Sequence, residues 1–191
     1  MRTIFMALSL VVVAVMAGNA QSGVYLSLND FENNRLSYAT NAESGENKLR
    51  FNEFLHKPYI IVKHNGEKIH IFKDEIYAYK NKNSIVRTWN FTPYYFLEKG
   101  HVWIYYKDVY ASQPKGTQRI RKYYFATSGK GEILPLTVHN LKRSFPENDL
   151  FHIYLDAQFR SDADLARYDN FTNKYKVNHL LEKISTAISK R

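Results

Sequence analysis

The chain has 191 residues, a formal net charge of +9 and no cysteine, and Phe, Trp and Tyr occupy 15% of its positions. The lack of cysteine excludes disulfides, thiolate nucleophiles and cysteine metal ligands, so packing of apolar and aromatic side chains has to stabilise the fold. The excess of positive charge favours anionic partners.

Residues 1–20 have the three parts of a signal peptide. Arg2 provides a positive start, residues 4–16 form a run of small and apolar side chains, and small residues precede a cleavage site after Ala20. The run of about thirteen residues is too short to span a bilayer, which takes about twenty. We therefore expect export, a periplasmic or secreted location, and no transmembrane segment in the mature chain.

Strands are predicted from residue 49 to residue 136, after a short extended segment and a capped helical turn near the start of the mature chain. The clearest signal is Asn65 followed by Gly66, a pair that tolerates the positive φ angles of a type I′ hairpin turn. Pairing outward from this turn places four apolar residues on one side of the hairpin, which is expected to face the core: Ile60, Val62, Ile69 and Ile71.

Three further hairpins follow from alternating apolar residues and turn residues. They join residues 76–80 to 84–89, 94–98 to 101–107, and 119–127 to 132–136. About eight antiparallel strands in meander order predict a strongly curled sheet, a sandwich or a partial barrel.

The apolar period becomes helical after residue 136. Candidate N-caps are Thr137, Asn148 or Asp149, and Ser161, the last with Asp164 at capping-box spacing. A final helix begins near Tyr175, and its apolar face holds Val177, Leu180, Leu181, Ile184 and Ile188. Helices this amphipathic should pack on the sheet, so we expect residues 21–191 to form a single α+β domain.

The chain contains no recognisable catalytic or metal-binding motif. Its seven histidines lack ligand spacing, and His139 and His152 are the one pair that the helices could bring together. The acidic residues between positions 156 and 169 lack the glycine and the closing glutamate of a calcium loop. Gly129, Lys130 and Gly131 are too short a run for a phosphate loop. We therefore expect no catalytic residues, no metal and no cofactor.

A candidate anion-binding site lies at Arg119, Arg121, Lys122 and Tyr123. In a strand, Arg119, Arg121 and Tyr123 share one face while Lys122 lies on the other. Guanidinium groups bind phosphate or carboxylate through paired hydrogen bonds, and tyrosine rings stack on sugars. The alternative is a half-exposed strand whose cations keep an aromatic sheet edge soluble.

The chain resembles an uncharacterised family of small exported proteins from Bacteroidota. The likeness lies in residues 23–31 (GVYLSLNDF), 57–68 (KPYIIVKHNGEK), 140–146 (NLKRSFP) and 155–159 (LDAQF), and it spans nearly the whole mature chain. This resemblance implies a location in the bacterial envelope and a single domain, and it implies no catalytic residues.

The sequence therefore predicts an exported, non-enzymatic binding or envelope-associated module. Its expected partner is an anionic envelope lipid or glycan, or a protein, and no nucleic-acid partner is expected outside the cytosol. One alternative is a lipocalin-like carrier, which requires a lumen lined by aromatic residues. Another is a hydrolase of envelope polymers, which requires paired carboxylates or a Ser-His pair in a cleft.

Overall fold

The computed structural model describes residues 21–40, 47–53, 57–113 and 116–189. The predicted signal peptide and the side chain of Ile188 lie outside this part of the chain. The strands are β1 (Gly23–Tyr25), β2 (Asn47–Arg50), β3 (Tyr59–His64), β4 (Glu67–Phe72), β5 (Ala78–Asn81), β6 (Ser84–Trp89), β7 (Thr92–Lys99), β8 (Trp103–Gln113), β9 (Gly116–Ala126), β10 (Leu134–Pro135), β11 (Tyr168–Asp169) and β12 (Lys174–Tyr175). The helices are α1 (Leu28–Glu32), α2 (Val138–Ser144), α3 (Asp149–Gln158), α4 (Asp162–Leu165) and α5 (Lys176–Ser189).

The predicted α+β class is confirmed, because a large antiparallel sheet is followed by helices. The largest sheet has seven strands in the order β1-β5-β6-β7-β8-β9-β10, and a separate sheet has the order β2-β3-β4. The predicted strong curl or partial barrel is wrong. The strands β2 to β4 pair among themselves and not with β5, so the meander is divided between two sheets and the larger one stays open, with β1 and β10 at its edges.

The small sheet packs on one face of the large sheet through a common apolar cluster. Ile60, Val62 and Ile71 of the β3–β4 hairpin contact Tyr79 and Val86 of the large sheet. These are three of the four residues predicted on the core-facing side, and the fourth, Ile69, is half-buried against the same cluster. The alternation along this hairpin therefore decides how the two sheets meet.

The turn of the same hairpin has the predicted conformation. His64 pairs with Glu67, and the two residues between them have positive φ, 49° at Asn65 and 88° at Gly66. Positive φ at both central positions is the property of a type I′ turn, whose twist matches that of the two strands.

The C-terminal helices cover another part of the same sheet face. Thr137, Asn148 and Ser161 are the N-caps of α2, α3 and α4, as predicted, and Ser161 forms a capping box with Asp164. The buried apolar residues of the helices form one cluster with Phe159, which directly follows α3, with Ile104 of β8 and with Phe125 of β9: Leu141, Phe151, Leu155, Leu165, Val177, Leu180, Leu181 and Ile184.

Asn178 of α5 ties the longest helix to the turn between β7 and β8. Its side chain accepts a hydrogen bond from the Val102 amide at 2.9 Å and donates to the Val102 carbonyl at 2.9 Å and to Glu98 at 2.6 Å. The residue is 2% exposed. Gly100 is required beside it, because a Cβ atom there would lie 2.4 Å from the Asn178 amide nitrogen.

Aromatic side chains fill the opposite face of β8. Trp103 and Tyr105 are buried there, and Phe31 of α1 packs over them, with its ring centre 5.6 Å from that of Trp103. A polar hydroxyl fixes one edge of this layer, because Tyr77 donates to the carbonyl of Gly129 at 2.9 Å.

We expect Gly66→Val to destabilise the protein by about 1 kcal/mol or more, because a β-branched residue resists positive φ. A Cβ at Gly66 would meet no atom within 4 Å, so the loss would come from the backbone conformation and not from a clash. Urea denaturation measures the effect, with Lys68→Val at an exposed strand position as the control. An unchanged midpoint with an unchanged m-value would contradict the type I′ turn.

Candidate functional site

The candidate anion-binding residues lie on a hairpin that extends beyond the large sheet. Strands β8 and β9 have 11 residues each and pair along their whole length. Strand β7 pairs with β8 only as far as Tyr106, and β10 pairs only with Tyr124 and Phe125 of β9. Residues 107–113 and 116–122, which we call the hairpin arm, therefore pair with each other and with no other strand in the described part of the chain.

This arrangement corrects the predicted pairing of residues 119–127 with 132–136. Only Leu134 and Pro135 form a strand there, and the main partner of β9 is β8. The first strand of this pair was predicted to end at Lys107. The strand continues because β9 supplies backbone hydrogen bonds along the same length, and the residues it adds include Asp108.

The register divides the four candidate residues between the two faces of the arm. Arg121 pairs with Asp108 and Arg119 with Tyr110, so both arginines share one face. Lys122 pairs with Lys107 on the other face. Both arginines and Lys122 are exposed.

Tyr123 differs from the other three candidates, because it lies at the base of the arm. Its ring is half-buried and packs against the cluster formed by the helices. The ring centre of Tyr123 lies 6.5 Å from that of Tyr175. This tyrosine therefore joins the arm to the helical layer.

Asp108, a carboxylate that was not among the predicted site residues, lies between the two arginines. Arg121 Nε donates to Asp108 at 3.0 Å, and Arg119 Nε lies 3.6 Å from the same carboxylate. Hydrogen bonding to Asp108 raises the pKa of Arg121. A cross-strand pairing of β8 with β9 was the signal that could have revealed it. The carboxylate neutralises part of the charge on this face.

Aromatic rings support the arginine face from below. The guanidinium carbon of Arg121 lies 3.9 Å from the centre of the Tyr106 ring, and Tyr106 stacks on Tyr95 with ring centres 4.9 Å apart. A cation this close to a ring face is attracted by its quadrupole. The Arg121 head group is therefore held in place at the base of the arm, whereas Arg119 has a side chain that is 63% exposed.

The arm carries more positive than negative charge. Lys107, Arg119, Arg121 and Lys122 stand against Asp108 within its two segments. Tyr110 is 73% exposed and lies opposite Arg119 on the same face. The arm thus presents cations beside an amphipathic ring, a combination suited to a charged and partly apolar surface.

A second group of titratable side chains lies between the two sheets. Lys73 is 8% exposed, and its Nζ lies 5.6 Å from the centre of the Tyr79 ring. Burial lowers the pKa of the Lys73 amine. Glu53 accepts a hydrogen bond from Tyr95 at 3.4 Å, and burial together with this carboxylate raises the pKa of Tyr95 to about 12.

The described residues hold no group of three or more His, Asp or Glu side chains placed to bind a metal ion. His152, one of the two histidines singled out above, has its Nε2 2.9 Å from the backbone oxygen of Phe145.

None of the described helices is long and apolar enough to cross a membrane.

Comparison of the chain with protein-family models, with curated proteins and with solved structures found no match.

We expect the Lys73 amine to titrate below its ordinary pKa of about 10.4, because burial disfavours the charged form. Between the two pKa values the unfolded chain binds more protons than the folded one, so the contribution of Lys73 to stability rises with pH in that window. The ¹³Cε shift of Lys73 measures the pKa, and stability against pH compared with Lys73→Met isolates its contribution. An ordinary pKa would show that water solvates this amine.

Proposed function

We propose that the protein is an exported binding module whose hairpin arm contacts the phosphate groups of anionic envelope lipids. The observation that carries the proposal is the exposed arm, which extends beyond the sheet with four cations, one carboxylate and an exposed tyrosine. Export is supported by the pattern of residues 1–20, and the envelope location is supported in addition by the resemblance described above.

The exposure of the arm makes its cations available on two sides. The arm pairs with no other described strand. No neighbouring strand therefore flanks Arg119 and Arg121 on one face, or Lys107 and Lys122 on the other. Each lysine or arginine near an anionic membrane contributes about 1 kcal/mol of attraction within a Debye length. Four cations and one carboxylate therefore supply about 3 kcal/mol of net attraction, so binding by the arm should be weak and reversible.

The chemistry of the arginine face favours lipid phosphate. A guanidinium presents paired N–H groups that match phosphate oxygens, and it is less strongly hydrated than an amine. Tyr110, beside Arg119, has the amphipathic ring that is enriched where one side is apolar and the other is wet. An acidic glycan offers carboxylates but no apolar layer for this ring.

A lipocalin-like carrier would need an enclosed apolar lumen. Instead, the two faces of β8 are packed, one by Leu180 and Leu181 of α5 and the other by Phe31 of α1. The packing of both faces therefore favours a surface site over an enclosed one.

Charge reversal on the arginine face tests the proposal directly. We expect Arg119→Glu with Arg121→Glu to weaken co-sedimentation with phosphatidylglycerol vesicles by about tenfold or more. The matched control is Lys63→Glu with Lys68→Glu, which makes the same charge change at an exposed pair on the β3–β4 hairpin. Equal losses from the two double variants would show that only net charge matters and would contradict a site on the arm.

Removal of the carboxylate should have the opposite effect. We expect Asp108→Asn to strengthen binding to the same vesicles by about fivefold, because the arginine face gains one net positive charge at the membrane. Added salt should weaken vesicle binding by both the wild type and the variant, as the Debye length falls towards about 8 Å. The decrease should be steeper for the variant. Weaker binding by Asp108→Asn would mean that the carboxylate itself contacts the ligand, and tighter binding of a soluble acidic glycan than of vesicles would identify a glycan partner.

A further inference from the structure

Arg87 of β6 is a buried cation without a carboxylate partner among the described residues. It is 5% exposed, and no described Asp or Glu oxygen lies within ion-pair distance of it. Its guanidinium donates to the carbonyl of Gly131 at 3.1 Å and to the Tyr105 hydroxyl at 3.4 Å. Both acceptors are neutral, so a buried charge remains without an opposite charge beside it, which is unfavourable in a poorly solvated site.

Two aromatic rings hold this guanidinium in place. Its central carbon lies 5.4 Å from the centre of the Tyr77 ring and 5.1 Å from that of Trp89. Aromatic faces attract a cation but do not accept its hydrogen bonds as a carboxylate does. A guanidinium also carries more N–H donors than these two hydrogen bonds use. Arg87 is therefore fixed in position with binding capacity left over.

Arg87 also forms part of the wall of an open cleft of about 360 Å³. The cleft lies where the connection between β4 and β5 meets the turn between β6 and β7, away from the hairpin arm. Asp74 and Asn90 are exposed polar residues in its lining, and Trp89 and Phe91 supply aromatic rings, Phe91 with 78% exposure. The cleft thus combines one buried cation with exposed hydrogen-bonding groups and aromatic surface.

We propose that this cleft binds an acidic sugar, a pyranose that carries one carboxylate. The carboxylate pairs with Arg87 and supplies the missing negative charge, while Asp74 and Asn90 hydrogen-bond the hydroxyl groups. The apolar face of the sugar ring packs on the aromatic side chains. This mixture of aromatic surface with a few placed polar groups is typical of small-molecule sites.

The charges in the cleft favour a carboxylate over a phosphate monoester. A carboxylate brings a single negative charge, which Arg87 balances. Asp74 in the same lining repels any anion, and it repels a phosphate monoester more strongly because the monoester carries nearly two negative charges at neutral pH. The proposal concerns different residues from those of the arm, so either can fail without the other.

The first test uses the wild-type protein with D-glucuronate, its methyl ester and D-glucose as probes in NMR titrations. We expect glucuronate to shift the Arg87 Nε–H and Trp89 indole N–H signals. The two uncharged sugars should bind at least about tenfold more weakly than glucuronate. Equal binding of the three sugars would overturn the role of Arg87. Inorganic phosphate that binds as tightly as glucuronate would overturn the assignment to a sugar, and the absence of shifts at both signals would overturn the site.

Variants provide the second test. We expect Arg87→Gln to weaken glucuronate binding about tenfold or more, since a hydrogen bond to a charged group is lost. Asp74→Ala, at an exposed position that does not support the core, should also weaken it. Arg143→Gln, at an exposed position of α2 outside both proposed sites, is the control and should leave it unchanged. If Arg87→Gln does not fold, the comparison of glucuronate with its methyl ester in the wild type still tests the role of Arg87. Unaltered glucuronate binding by Asp74→Ala would contradict the proposed contact between Asp74 and the sugar hydroxyl groups.

Discussion

The segment from Val102 to Tyr105, at the start of β8, is buried on both of its faces, and most of the architecture follows from that constraint. Val102 and Ile104 contact the helical cluster, whereas Trp103 and Tyr105 belong to the aromatic layer on the other side. A strand with large apolar side chains on both faces needs a cover on each. The helix α5 supplies one cover, and α1 with the residues after β9 supplies the other.

The end of that burial explains the hairpin arm. Beyond Tyr106 the strands continue, because β8 and β9 satisfy each other's backbone hydrogen bonds, but the helical cover no longer reaches them. Most side chains there are charged or polar, and the Tyr110 ring is exposed among them. The arm thus gains its accessible cations from the same hairpin that provides the centre of the core, and its base is held by Tyr123 and by the stack of Arg121 on Tyr106.

Three environments give the cations of this protein different properties. The arm arginines are exposed and share Asp108, Lys73 is buried against the Tyr79 ring, and Arg87 is buried between two aromatic rings with neutral acceptors. Desolvation disfavours the charged form of the two buried cations more than that of the exposed arm arginines. The formal charge of the chain therefore says little about where an anion binds, and the local balance of burial and partners says more.

Local features of the fold could be predicted from the sequence, because they depend on a few neighbouring residues. The turn at Asn65 and Gly66 requires positive φ, the caps at Thr137 and Ser161 satisfy amides within one helical turn, and the apolar faces of the hairpin and of α5 follow from periodicity. The division into two sheets, the long pairing of β8 with β9, the position of Asp108 between the arginines and the burial of Arg87 depended on contacts between distant segments. Such contacts are chosen by packing and by shared backbone hydrogen bonds across the whole domain, and only the tertiary structure decided them.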